Sequence, residues 1–235
     1  MKFSYLSLFF IILSGSASFG SANFPQKRVN GDLPLKVIGS SAQPTLPMVV
    51  FLSGDGGLNT FTQSLCTYLS QKGFPVVILD AKKYFWVSKT PEETTTDMIS
   101  IVETYEKLWQ RDRFVLIGFS FGASLVPFLV NQLPEDIGKR LSMYILINPD
   151  KRCDFEIHLS DMLNLGTSKG KYDVIGELRK VDSRKVSIYF GSDESADIRQ
   201  AFQVTGLKVQ VVPGNHHFDS SYEVLADLLS EEMRH

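Results

Sequence analysis

The sequence predicts an α/β fold with a mostly parallel central sheet and helices on both of its faces. Three observations lead there. Continuous apolar runs, such as Met48-Val49-Val50-Phe51-Leu52, mark strands buried on both sides. Helix-forming stretches separate these runs, and parallel strands need such crossovers. The third is Phe114-Val115-Leu116-Ile117-Gly118-Phe119-Ser120-Phe121-Gly122-Ala123, an apolar strand running into G-x-S-x-G and then into a helix.

The elements follow in order. A strand is expected around Leu35–Ile38, then the buried strand Met48–Leu52 and a helix over Phe61–Gln71. Gly73 breaks that helix before a second buried strand, Val76–Leu79. Pro91 with Glu92 and Glu93 opens a helix that runs to about Gln110. Proline fits a first helical turn, and carboxylates there suit the positive end of the dipole. The strand before Ser120 and a helix from Ala123 to Gln132 come next. Further strands are expected at Met143–Ile147, Val186–Phe190 and Val209–Val212, with a last helix over roughly Ser221–Met233. The irregular stretch from Asn148 to Ser183 is long enough for a small lid-like insertion.

Length and charge narrow the functional class. The 235 residues suit one α/β domain, and 24 Lys+Arg against 26 Asp+Glu leave a formal net charge of −2. No basic run or aromatic-basic stripe points to nucleic acid. Lys2, the apolar core Tyr5–Leu13 and the small residues up to Ala22 have the pattern of a signal peptide, with cleavage expected after Ala22. The domain organisation expected is therefore a leader over 1–22, a linker over 23–32 and one domain over 33–235, exported to a periplasm. The apolar core is too short to span a bilayer comfortably. Two cysteines, Cys66 and Cys153, would be permitted to bridge in such a compartment, but spacing does not decide whether they do. No Cys/His cluster has metal-ligand spacing.

G-x-S-x-G between strand and helix is the pattern of a nucleophile elbow, which holds one serine hydroxyl clear of the backbone. An ordinary strand-turn-helix is the competing interpretation. In a parallel sheet the chemistry sits after the strands' carboxyl ends. After Leu52 comes Ser53-Gly54-Asp55-Gly56-Gly57, a loop whose Asp55 or Gly56 N–H could face a developing oxyanion, with the Phe121 N–H as second donor. The loop lacks the Lys-Ser/Thr of a phosphate-binding loop. After Phe190 comes Gly191-Ser192-Asp193-Glu194, and after Val212 comes Pro213-Gly214-Asn215-His216-His217-Phe218.

The order Ser…acid…His is that of α/β-hydrolase triads, in which histidine takes the serine proton and a carboxylate orients the imidazole. His217, followed by Phe218, takes the usual G-x-x-H-F position and is the first choice, with His216 the alternative. Glu194 leads Asp193 for the acid. The chain thus reads as a serine ester hydrolase of α/β-hydrolase fold that needs no metal or organic cofactor. Apolar residues of the insertion (Phe155, Ile157, Met162, Leu163, Leu165) could receive acyl chains or simply cover the core. Asp55, Asp150, Asp154, Asp193 and Glu194 lie near strand ends, where an acidic mouth would attract a cation.

Five motifs in order carry a resemblance. They are Ser53-Gly54-Asp55-Gly56-Gly57; Tyr84-Phe85-Trp86 with Thr90-Pro91-Glu92; Gly118-Phe119-Ser120-Phe121-Gly122-Ala123; Asp154-Phe155-Glu156 with His158; and Gly214-Asn215-His216-His217-Phe218. Together they resemble the VirJ/AcvB-type bacterial virulence proteins, in a short single-domain form. Leu58 and Asn215 depart from that family's pattern, which usually has tryptophan and glycine there. The resemblance implies an exported α/β-hydrolase whose serine and histidine correspond to Ser120 and His217. It also implies a membrane-lipid substrate, aminoacylated phosphatidylglycerol and notably its lysyl form, and possible dealings with type IV secretion components.

Overall fold

The computed structural model describes residues 33–39, 45–157, 170–219 and 221–234. The expected leader and linker, and Met162, Leu163, Leu165, His158 and His235, lie outside those residues.

The chain opens with β1 (Leu35–Ile38) and β2 (Met48–Leu52), then α1 (Thr60–Gln71) and β3 (Val76–Leu79). The short α2 (Ala81–Tyr84) leads to the long α3 (Pro91–Trp109) and β4 (Phe114–Phe119). After these come α4 (Phe121–Val130), α5 (Glu135–Arg140) and β5 (Leu141–Ile147). A two-stranded hairpin, β6 (Arg152–Cys153) with β7 (Tyr172–Asp173), precedes α6 (Val174–Leu178). The remaining elements are β8 (Val186–Gly191), α7 (Ala196–Gln203), β9 (Lys208–Val212) and α8 (Tyr222–Glu232).

Seven strands form one sheet in the order β1-β3-β2-β4-β5-β8-β9. Only β1 runs antiparallel, against β3; the other pairs are parallel. The mostly parallel sheet expected from the sequence is thus observed. Every residue of β2 is buried, and the period of two divides them between layers. Met48, Val50 and Leu52 face α3 and α4, packing with Met98, Ile101, Leu125 and Val126. Val49 and Phe51 face α1 and α8, with Leu65, Leu69, Leu225 and Leu229. Truncating one of these buried leucines to alanine costs about 2–5 kcal/mol.

Cys66 belongs to the second layer and Cys153 to the first, so the sheet stands between two buried free thiols. A bridge between them would have to cross the sheet. At α3 the local chemistry works as expected: the Thr90 hydroxyl accepts from the Glu93 N–H, and the Glu93 carboxylate accepts from the Thr90 N–H. This reciprocal cap satisfies two donors that no intrahelical carbonyl can reach, worth about 1 kcal/mol.

Reading the stretch 148–183 as one irregular segment missed the β6–β7 hairpin and α6, whose two- to five-residue elements are too short to show periodicity. Phe155 and Ile157 in that stretch are buried, not open to a ligand. Phe155 packs edge-on against Phe85, Phe128 and Tyr172 and so covers the core. Among the described residues no helix is long and apolar enough to cross a membrane.

Candidate active site

Strand order places the site. From β2 the chain adds β3 on one side, then crosses back to add β4 on the other. The loops after β2 and β4 therefore diverge and leave a crevice at the carboxyl edge, the usual ligand position in open parallel sheets. Leu52 is in register with Gly118, Ile147 with Tyr189, and Gly191 with Val212. Five loops, after β2, β4, β5, β8 and β9, thus leave the sheet side by side.

Ser120 stands between β4 and α4 with φ 52° and ψ −115°. A non-glycine residue at positive φ costs about 1–3 kcal/mol and persists only where the surroundings enforce it. Here its N–H donates to the Ile147 carbonyl at 2.8 Å, and its own carbonyl accepts from the Ser124 N–H at 3.1 Å. The glycines flanking it are required sterically. A Cβ at Gly118 would lie 2.5 Å from the Ala123 Cα, and one at Gly122 would lie 2.5 Å from the Leu52 and Ser53 carbonyl oxygens. This is the strained elbow that the sequence pattern predicts, rather than an ordinary turn.

Ser120 Oγ lies 2.9 Å from His216 Nε2, and His216 Nδ1 lies 2.5 Å from Glu194 Oε1. An ionised carboxylate only accepts, so Nδ1 carries the proton and Nε2 presents its lone pair to the serine hydroxyl. Glu194 is the more sheltered partner, its side chain 17% exposed against 41% for His216.

The hydrogen bond to Ser120 comes from His216 and not from His217, which corrects the sequence-based first choice. Residues 215–218 form a turn, closed by the Phe218 N–H on the Asn215 carbonyl at 3.1 Å. The two central side chains of that turn diverge. Phe218, fully buried at φ 51°, anchors the turn beside Phe61. His217 then sits against the rings of Phe61 and Phe119, and His216 reaches the serine. Asp193 likewise stays outside the chain of contacts: it is exposed and accepts from the Ser192 hydroxyl at 3.0 Å.

Asn148 is the residue the sequence did not reveal. It is buried, with φ 50°, a conformation asparagine tolerates better than most side chains. Its Oδ1 accepts from the Gly191 N–H at 2.9 Å, and its Nδ2 donates to the His216 carbonyl at 2.8 Å. One amide thus ties the loop carrying the histidine to the strand end that leads to Glu194. The only local signal was a polar residue directly after the apolar run Tyr144–Ile147.

The turn after β2 forms the opposite wall. The Gly57 N–H closes it on the Gly54 carbonyl at 2.9 Å. A Cβ at Gly54 would stand 3.4 Å from Ser120 Cβ, so the turn holding Asp55 and Gly56 abuts the serine. Phe121 is the first residue of α4, and its N–H is one of the four that a helix leaves unpaired at its start.

Asp150 stands at the mouth. It reaches solvent, yet enough protein surrounds its carboxyl to raise the pKa by desolvation. The nearby His216 opposes that rise, while Glu194 and Asp55 reinforce it. Its N–H donates to the Ser124 hydroxyl at 2.9 Å, tying the loop after β5 to the elbow helix. Asp154 accepts from the Lys171 N–H at 2.7 Å. Among the described residues no three His, Cys, Asp or Glu side chains are grouped as a metal ion would require.

Comparison with known proteins agrees with this architecture. Residues 47–235 match the family described as Bacterial virulence protein (VirJ). No curated protein matches the chain. Solved structures do. Proline iminopeptidase from Mycobacterium smegmatis superposes with a TM-score of 0.61 at 13% identity, over 85% of this chain and 93% of that one. The esterase domain of a Rhodothermus marinus protein gives 0.60 at 11% identity, over 84% and 90%. Est1E from Butyrivibrio proteoclasticus gives 0.57 at 15% identity, over 85% and 91%. At such identities the likeness is one of fold, and that fold is the α/β-hydrolase fold.

Proposed function

The chain belongs to the VirJ family of bacterial virulence proteins, and on that premise we propose that it is a serine ester hydrolase. The observation that carries this reading is the unbroken run of contacts from Ser120 Oγ through His216 to Glu194, mounted on a strained elbow. A protein that only binds partners has no need of a serine held at positive φ against an imidazole lone pair.

In the proposed reaction Ser120 Oγ attacks the ester carbonyl carbon while His216 Nε2 takes its proton. Glu194 holds the ring and stabilises the imidazolium. The oxyanion is received by the Phe121 N–H and by the Asp55 or Gly56 N–H. His216 returns the proton to the departing alcohol oxygen, leaving an acyl-serine. Water then attacks that acyl-serine with His216 again as base, releasing the acid and restoring the serine hydroxyl.

The substrate class we propose is the aminoacyl ester of a membrane lipid, with lysyl-phosphatidylglycerol the best candidate. Family membership and the five motifs support it. The carboxylates of Asp55, Asp150 and Glu194 near the serine suit an acyl half that carries ammonium groups. The leader-like residues 1–22 would deliver the enzyme to the periplasmic side of the membrane. Cleavage would restore anionic phosphatidylglycerol and lower the surface charge toward the negative.

The test incubates pure protein with lysyl-phosphatidylglycerol and, separately, with a neutral short-chain ester, beside Ser120→Ala and a fluorophosphonate probe. Lysine release and probe labelling that both vanish in Ser120→Ala are expected. Turnover of the neutral ester without lysine release would keep the hydrolase and sink the lipid. No turnover and no labelling would favour an accessory role in type IV secretion.

A further inference from the structure

A cavity of about 580 Å³ opens at the carboxyl edge of the sheet beside the ends of β2 and β3. Gly57, Leu58, Asp80, Lys82, Lys83 and Trp86 line it. Its wall is the turn that abuts Ser120 through Gly54 at its other end. The lining is amphiphilic. Trp86, 52% exposed, and half-buried Leu58 form its apolar side, and exposed Val87 follows Trp86 in the chain just outside the lining. Against this apolar side stand two ammonium groups.

The charges can be summed. Asp80 is buried and already committed: one oxygen caps α2 by accepting from the Lys83 N–H, and the other lies 3.6 Å from Lys83 Nζ. It therefore neutralises one lysine. Lys82 makes no ion pair among the described residues, so the cavity keeps one net positive charge. A lysine ammonium is a mobile point charge suited to phosphate oxygens, and its aliphatic stem tolerates an apolar neighbour. One positive charge beside an exposed indole matches a monoanion joined to an apolar body.

We propose that this cavity receives the phosphodiester headgroup of an anionic membrane phospholipid, the alcohol half of the ester cleaved at Ser120. The inference rests on the ester-hydrolase reading and specifies the side of the ester that leaves. A β-turn keeps its ends within about 7 Å. A glycerol bridge between the scissile ester and the phosphate can span such a turn, with the carbonyl at Ser120 and the phosphate at Lys82. Trp86 and Val87 then meet the lipid at the level of its glycerol and first acyl carbons, where indole rings are favoured.

The experiment measures binding and turnover separately. Ser120→Ala protein is titrated with vesicles of phosphatidylglycerol or of phosphatidylcholine, following tryptophan fluorescence. Trp86 is the exposed reporter, since Trp109 is only 8% exposed. The expected result is a blue shift with at least tenfold tighter apparent binding to phosphatidylglycerol. That preference should vanish in Ser120→Ala carrying Lys82→Gln and Lys83→Gln. It should persist in Ser120→Ala carrying Lys139→Gln, where the lysine pairs with Glu135 on a distant exposed helix. Trp86→Phe should abolish the shift. Soluble glycerophosphoglycerol competing for the site would show that the headgroup itself is held, as expected.

Equal binding to both vesicle types, or a preference untouched by the two lysine changes, would overturn the proposal. Wild-type turnover of the neutral ester beside such a result would leave the hydrolase standing and remove only this subsite. Lysine-dependent binding with no turnover of any ester would strike the hydrolase reading instead.

Discussion

His216 Nε2 faces Ser120 Oγ at 2.9 Å, while the adjacent imidazole of His217 makes no hydrogen bond to the serine and stands edge-on to the Phe61 ring. Two neighbouring residues of one type thus have opposite assignments, and the turn that separates them is held at both ends. Phe218 anchors it in the core, and Asn148 holds the His216 carbonyl. The arrangement makes the histidines an internal control for each other.

His216→Ala should lose several powers of ten in ester turnover, and His217→Ala should keep most of it. Groups that act as one unit lose activity non-additively, so Ser120→Ala with His216→Ala should be no worse than either alone. Steady-state rates of the four proteins on a short-chain ester check this. A severe loss confined to His217→Ala would reverse the assignment.

For the acid, Glu194→Gln and Asp193→Asn separate the contact seen from its neighbour. Glutamine keeps the shape of Glu194 but offers no charge to an imidazolium, so turnover at neutral pH should fall by about three to four powers of ten. Asp193→Asn should change it less than tenfold, because that carboxylate meets Ser192 and solvent. Comparable losses in both variants would mean that the loop as a whole, not one carboxylate, orients the ring.

Asn148→Gly tests positioning. Glycine accepts the positive φ without strain, but both side-chain hydrogen bonds are lost and the Gly191 N–H and His216 carbonyl go unpaired. Misplacement of the histidine loop should lower kcat on the order of 10–100-fold with little change in KM. A fall in melting temperature with kcat intact would reduce Asn148 to a purely structural residue.

Acid stability should depend on Glu232. Burial pushes its carboxyl pKa up, but hydrogen bonds from Lys208, Ser187 and Tyr189 outweigh that and hold it below the ordinary value. A carboxylate depressed in the folded state adds stability above its unfolded pKa and loses it as pH falls through the folded one. Wild type should therefore begin to lose this contribution as pH falls below the ordinary glutamate value of about 4.3, and lose the rest as it falls through the lower folded one. Glu232→Gln should be less stable by on the order of 1 kcal/mol at neutral pH, with the difference shrinking in acid. Thermal melts at pH 7 and pH 4 measure it; a gap that widens in acid would contradict the sign.

The sequence by itself determined the sheet and the elbow, because both are written in local patterns. Continuous burial of Met48–Leu52 demands cover on both faces, and Gly118 and Gly122 flank a serine where any Cβ would strike backbone. It also narrowed the remaining candidates to two adjacent acids and two adjacent histidines, since chemistry gathers after parallel strands. The choice within each pair belonged to tertiary structure. A turn directs successive side chains apart, and which one meets Ser120 depends on how Phe218 and Asn148 seat residues 215–218 against the core. Asn148 shows the same limit: its partners lie 43 and 68 positions away, a separation over which no local pattern carries information. The cavity beside Trp86 likewise exists only because β2 and β3 lie adjacent and parallel, which brings Leu58 to Lys82 across a folded edge.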